Sequence, residues 1–144
     1  MRFDNTKTLH TSIFYFCCHG PIELVRIREA LLNMKWASFT VEYDTFGCNI
    51  DTHGSNITYL HALPSKRYQD MYFALTKKIE ETVSQAGVEI HHPRKSLFHM
   101  TLARVTPEYP SEKALATLNG THFGSHRVCS FEFLGAKVTA GDCP

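Results

Sequence analysis

Apolar and polar residues alternate along this chain in short blocks that can be read one element at a time. Residues 10–17 (HTSIFYFC) are bulky and rich in aromatic side chains, the composition of a strand, and His19-Gly20-Pro21 breaks it. Ile22, Leu24, Val25, Ile27, Leu31 and Met34 recur at three- and four-residue spacing, which predicts an amphipathic helix over 21–34 with Pro21 in its first turn. From 36 to 46 the period becomes two: Phe39, Val41 and Tyr43 alternate with Ser38, Thr40, Glu42 and Asp44, as on a half-buried strand. A polar loop over 47–55 and a strand over 57–63, stopped by Pro64, come next. Tyr68, Met71, Tyr72, Leu75, Ile79 and Val83 form the stripe of a long helix over 66–86, capped by Ser65 and ended by Gly87. After the basic loop HHPRK (91–95), the run LFHMTLARV (97–105) reads as a buried strand. A short helix over 112–118 and a last strand over 128–139 close the chain.

The order is β-α-β-β-α-β-α-β in a single domain over 1–144, with no linker or low-complexity stretch. It carries a faint internal repeat. A strand opening with His10-x-Ser12, a helix and then Ala37-Ser38-Phe39-Thr40 matches a strand with His99-x-Thr101, a helix and then Cys129-Ser130-Phe131-Glu132. Two copies are too few for a solenoid. They predict a two-lobed, pseudo-symmetric α+β fold with antiparallel sheets and helices outside.

The chain has 144 residues and a formal net charge of +1. That balance excludes a broad basic face for wrapping a polyanion, so a nucleic acid would be gripped locally. No apolar stretch has the length of a membrane span, and MRFDNTKT lacks the apolar core of a secretory signal. Five cysteines without a CxxC pair read as reduced thiols in the cytoplasm, although a mature secreted form would look the same. Two N-x-[ST] sequons, at Asn56 and Asn119, are no more than chance supplies. His91 and His92 are adjacent and cannot readily ligate one ion together, and no carboxylate or cysteine is spaced to complete a set with His99. Neither metal nor cofactor is expected.

The two H-x-[ST] tripeptides carry the candidate chemistry. Period-two alternation turns His10 and Ser12 to one face, and His99 and Thr101 to one face. If the repeats are related by a pseudo-twofold axis, the pairs converge. Two imidazoles titrating near neutrality then act as acid and base on opposite sides of one centre, and the hydroxyls donate to a phosphate oxygen between them.

These residues resemble the 2H phosphoesterase superfamily (LigT-like), which carries two H-x-[ST] motifs. The second motif, FHMTLARV, looks like the branch that opens 2′,3′-cyclic phosphates at RNA ends, and the resemblance extends over roughly residues 9–140. Ser12 stands where many relatives have Thr, and Phe98 where proline is common. Relatives usually place a strand and helix before the first motif, whereas nine residues precede His10. The fold is therefore expected to lack that unit and to expose a sheet edge through which a homodimer could form.

The resemblance implies a metal-independent phosphodiesterase with His10 and His99 catalytic and Ser12, Thr101 and Arg104 on phosphate. Simple alternation sends Arg104 to the face opposite His99, so a twist or bulge is needed to bring it back. Tyr59, His61 and Phe46 are candidates for stacking a base. The implied substrate is an RNA terminus or small nucleotide bearing a 2′,3′-cyclic phosphate, opened to a 2′-phosphate. The same chemistry on 2′,5′-linked oligoadenylate or an RNA 3′ end is one alternative. A non-catalytic module that binds RNA ends is another.

Overall fold

The computed structural model describes residues 2–5, 7, 9–17, 20–50, 58–91, 97–105, 112–113, 116 and 123–144. Seven strands and two long helices follow in the order β1 (Arg2–Phe3), α1 (Pro21–Leu32), β2 (Phe39–Ile50), β3 (Thr58–Pro64), α2 (Lys66–Gln85), β4 (Met100–Val105), β5 (Ser125–Val128), β6 (Ser130–Phe133) and β7 (Ala136–Thr139). The architecture is α+β with two antiparallel sheets, one ordered β1-β4-β3-β2-β5 and the other a β6-β7 hairpin. No helix among the described residues is long and apolar enough to cross a membrane.

The chain divides into two compact units. The first comprises Met1–Ser12, Glu42–Arg67 and Leu97–Ser125, and the second Ile13–Val41, Tyr68–Ser96 and His126–Pro144. In the first unit, β3 alternates as its composition demands. Leu60, Ala62 and Pro64 face the core, where Leu60 and Ala62 are fully buried, while Tyr59, His61 and Leu63 face the other way. Leu60 clusters with Ala103 and Val105 of β4, and Phe46, Leu102 and Phe123 pack against them. Phe46 pairs in register with Ala62, on the face away from His61. It is partly buried against the Leu60–Ala103–Val105 cluster.

The second unit is organised by its helices. α2 buries Tyr72, Leu75, Ile79 and Val83, the stripe expected from the periodicity, and Gln69 joins them. Gly87 lies just past the helix end at φ +79°, a conformation that costs glycine little. α1 starts with Pro21 and buries Ile27 and Leu31. Trp36 meets Phe131 at 5.6 Å, and Phe39 meets Tyr72 edge-on at 5.4 Å.

Four expectations need correction. Residues 10–17 form no continuous strand. Thr11 bridges Met100 and Cys17 bridges His91, but between these points the Ile13 carbonyl accepts a hydrogen bond from the Thr76 hydroxyl of α2 instead of a strand partner. The loop drawn from 47 begins later, because β2 stays paired with β3 through Ile50 and Thr58. The last strand is three strands. Leu134 and Gly135 turn the β6-β7 hairpin at φ +46° and +78°, the two positive values of a type I′ turn. Finally, Cys129 and Cys143 form a disulfide, with Cα atoms 5.8 Å apart, while Cys17 is free and exposed. Of the helix predicted over 112–118, the described residues 112, 113 and 116 are helical. Asn56 and Asn119 of the two sequons and residues 92–95 of the basic loop lie outside the described residues. The strands at the two ends of the larger sheet have two and four residues, short templates for edge pairing.

The disulfide closes a loop of 14 residues' separation that contains the β6-β7 hairpin. Confining the unfolded chain by such a loop stabilises the fold by about 3 kcal/mol. Urea unfolding of oxidised protein against the Cys129→Ala/Cys143→Ala variant should show a loss of that size. Identical midpoints would mean that the bond leaves the unfolded ensemble unrestricted.

Candidate active site

The site grows from the register of β4. Thr58 opposes Val105, Tyr59 opposes Arg104 and Leu60 opposes Ala103, but His61 opposes Thr101. Leu102 is therefore an extra residue, a β-bulge. Before it, His99 and Thr101 share the face of His61. After it, the parity is reversed, so Arg104 comes to the face of Tyr59, and Tyr59 and His61 are on the same face of β3. The bulge thus brings Arg104 to the side where Thr101 lies. Its cost is met on the core side, where Leu102 and Ala103 both turn inward.

The first tripeptide reaches the same face along the other edge of β4. Phe3 pairs with Ala103, the Asp4 amide donates to the Leu102 carbonyl at 2.8 Å, and Thr11 bridges Met100 antiparallel. The Thr11 hydroxyl lies 2.5 Å from the hydroxyl of Tyr43, which is buried. That contact turns Thr11 toward the core face, so alternation turns His10 and Ser12 the other way. The antiparallel bridge sets His10 level with Thr101 and Ser12 level with His99. His10 and His99 are then diagonal neighbours, a relation that spans about 7–8 Å in a regular ladder. His10 is exposed, and Ser12, His99 and Thr101 are half-buried. Both tripeptides fall in the first unit rather than one in each.

Side-chain contacts order the row further. His99 donates from Nδ1 to the Leu97 carbonyl at 2.9 Å, since a carbonyl can only accept. In the neutral ring this leaves the lone pair on Nε2. His61 Nδ1 is 3.3 Å from the Thr101 hydroxyl, and the His61 and His99 rings are 4.1 Å apart, tilted by 49°. Beyond His61, the Tyr59 ring lies parallel at 6.4 Å, and the exposed Arg104 guanidinium sits 5.9 Å from the Tyr59 centroid. At that range the arginine can lean on the ring and still present its donors to an anion.

His61 is 7% exposed. Gly47 is its cross-strand partner on β2, and a Cβ there would meet Leu63 Cδ1 at 2.9 Å, so the Leu63 side chain occupies the space beside it. Burial, and secondarily the charge of His99, lowers the His61 pKa to about 4 from an ordinary 6.5. The ring is neutral at physiological pH. Little of the ring is open to solvent, and its neighbours include Thr101, His99 and Tyr59. Tyr59, half-buried, keeps part of its ring accessible. Alternation in the sequence puts Tyr59 and His61 on one face of the strand, as found, whereas the burial of His61 is not legible there.

No family model matches the chain, and no curated protein sequence matches it. Solved structures do. The crystal structure of E. coli LigT complexed with 3′-AMP matches with a TM-score of 0.57 at 14% identity, covering 94% of this chain and 75% of that one. The crystal structure of a phosphoesterase matches with a TM-score of 0.52 at 15% identity, covering 96% of this chain and 76% of the other. The chain has the LigT-like fold.

A histidine held below its ordinary pKa binds fewer protons folded than unfolded. Its contribution is intact above pH 6.5 and is withdrawn as the pH falls toward about 4. Over that window the loss amounts to about 2–3 kcal/mol. Unfolding free energies of wild type and His61→Phe, measured from pH 7 to pH 4, should diverge in slope by this amount, with wild type the steeper. Parallel curves would mean that His61 charges in the folded protein as it does in the unfolded chain.

Proposed function

We propose that this chain, folded as LigT is, is a 2H-type phosphodiesterase that opens a 2′,3′-cyclic phosphate on a nucleotide or RNA end to a 2′-phosphate. The observation that supports the reading is the Thr11–Met100 bridge, which sets the two H-x-[ST] segments side by side and antiparallel. A phosphodiester needs a base for the attacking oxygen and an acid for the leaving oxygen, on opposite sides of phosphorus. Two imidazoles at a diagonal separation leave room for a phosphoryl group between them.

In this reading, one of His10 and His99 takes the proton of an attacking water through a ring nitrogen lone pair. The P–O bond to the ribose 3′ oxygen breaks as the other, an imidazolium, supplies that oxygen with a proton. The lone pair on His99 Nε2, set by the bond to Leu97, suits either role after one proton exchange. Ser12 and Thr101 donate to non-bridging oxygens, and Arg104 neutralises the developing charge from its place against Tyr59. The 3′-AMP bound by LigT supports a nucleotide ending in phosphate as the ligand class.

His10→Ala and His99→Ala should each lower kcat/KM on a short oligoribonucleotide 2′,3′-cyclic phosphate by about 10²–10⁴-fold, with the fold kept by circular dichroism. Product identity by 31P NMR and persistence of turnover in EDTA complete the test. Near-wild-type rates in either variant would sink the two-histidine assignment. Tight binding of the cyclic end without product would favour a binding module. Loss in EDTA with recovery on added metal would replace the mechanism with a metal-assisted one.

A further inference from the structure

His61 is outside both tripeptides, yet it touches both side chains of the second. Its Nδ1 lies 3.3 Å from the Thr101 hydroxyl, its ring lies 4.1 Å from that of His99, and it faces Thr101 directly across the β3-β4 ladder. A threonine hydroxyl has one proton. If Thr101 gives that proton to His61, only lone pairs face the site, and a phosphate oxygen, also lone pairs, is repelled. If His61 gives the proton, the Thr101 hydroxyl accepts on one side and donates on the other.

We propose that His61 is a positioning residue: as the Nδ1–H tautomer it donates to Thr101 and turns the Thr101 hydroxyl proton outward to a phosphate oxygen. The proposal rests on the phosphodiesterase reading and extends it by one residue. Three features of the site suit it. The ring is buried beside Leu63 and Gly47, so bulk water cannot readily take over the hydrogen bond to Thr101. The bulge at Leu102 holds Thr101 opposite His61 and not one step away. His99 already spends its own Nδ1–H on Leu97, so the two neighbouring rings do not compete for one acceptor. His61 thereby orients the phosphate donor while leaving proton transfer to His99 and His10.

The tautomer is measured directly by long-range 1H–15N correlation spectra of the labelled wild-type protein at pH 7. The expected result is a protonated Nδ1 and an unprotonated Nε2 on His61. An Nε2–H tautomer would overturn the proposal even in an active enzyme. Kinetics supply the second arm. His61→Leu should lower kcat/KM on the cyclic-phosphate oligonucleotide by roughly 10–100-fold. His61→Asn, whose amide nitrogen falls near the position of Nδ1, should recover most of it. In a Thr101→Val background, His61→Leu should add no more than about twofold. A full additional loss there would mean that His61 acts through packing alone. An inactive wild type showing the Nδ1–H tautomer would instead fail the phosphodiesterase reading and leave the direction of the hydrogen bond established.

Discussion

Leu102 is one residue more than β3 can pair with, and the arrangement of the site depends on that surplus. Without it, strict alternation from Thr101 would turn Arg104 toward the core beside Leu60 and carry Ala103 and Val105 out to the face of Thr101. Burying a guanidinium without a partner costs far more than a local ladder defect. The bulge resolves the conflict by changing the face parity between Thr101 and Ala103. The core keeps its small and branched residues on one side, and the polar row of His99, Thr101, His61, Tyr59 and Arg104 keeps the other. One inserted residue therefore serves the packing and the chemistry together.

The second dependence is the anchoring of the first tripeptide. Residues 10–12 lie outside the named strands, and a bridge to β4 and the hydroxyl contact of Thr11 with Tyr43 anchor them. Tyr43 is in turn fixed by main-chain bonds to Phe123 and Gly124. The middle residue of the H-x-[ST] tripeptide thus does the structural work, and the outer two are left for the site face. Anchored through its middle residue, the segment leaves His10 exposed.

Much of this was legible beforehand. The helix stripes of Ile27 and Leu31, and of Tyr72, Leu75, Ile79 and Val83, came directly from periodicity, because each helix buries one face. The alternation of Val41 and Tyr43 did the same for β2. What escaped was non-local. A bulge leaves no mark in composition, so Arg104 could be assigned to the site only on condition of one. The Leu134-Gly135 turn was hidden because leucine rarely adopts positive φ. The Cys129–Cys143 bond was missed because spacing alone does not distinguish a pair from two thiols. Phe46 and His61 are both aromatic, and composition alone does not tell them apart. Only register separates the one that belongs to the core from the one that supports Thr101.

With a formal net charge of +1, the protein has little long-range field to draw an anion in. Affinity must come from short-range donors, and those are concentrated on one sheet face: Arg104, the Ser12 and Thr101 hydroxyls, and whichever imidazole is protonated. On the proposed reading, such a set suits a single phosphate group gripped locally. The neutral His61 fits the same economy of charge. A second imidazolium 4.1 Å from His99 would attract phosphate more strongly. It would also oppose protonation of His99, which the proposed acid–base mechanism requires. On the proposed two-histidine reading, a buried and uncharged His61 leaves proton transfer to His99 and His10 and phosphate binding to the hydroxyls and Arg104.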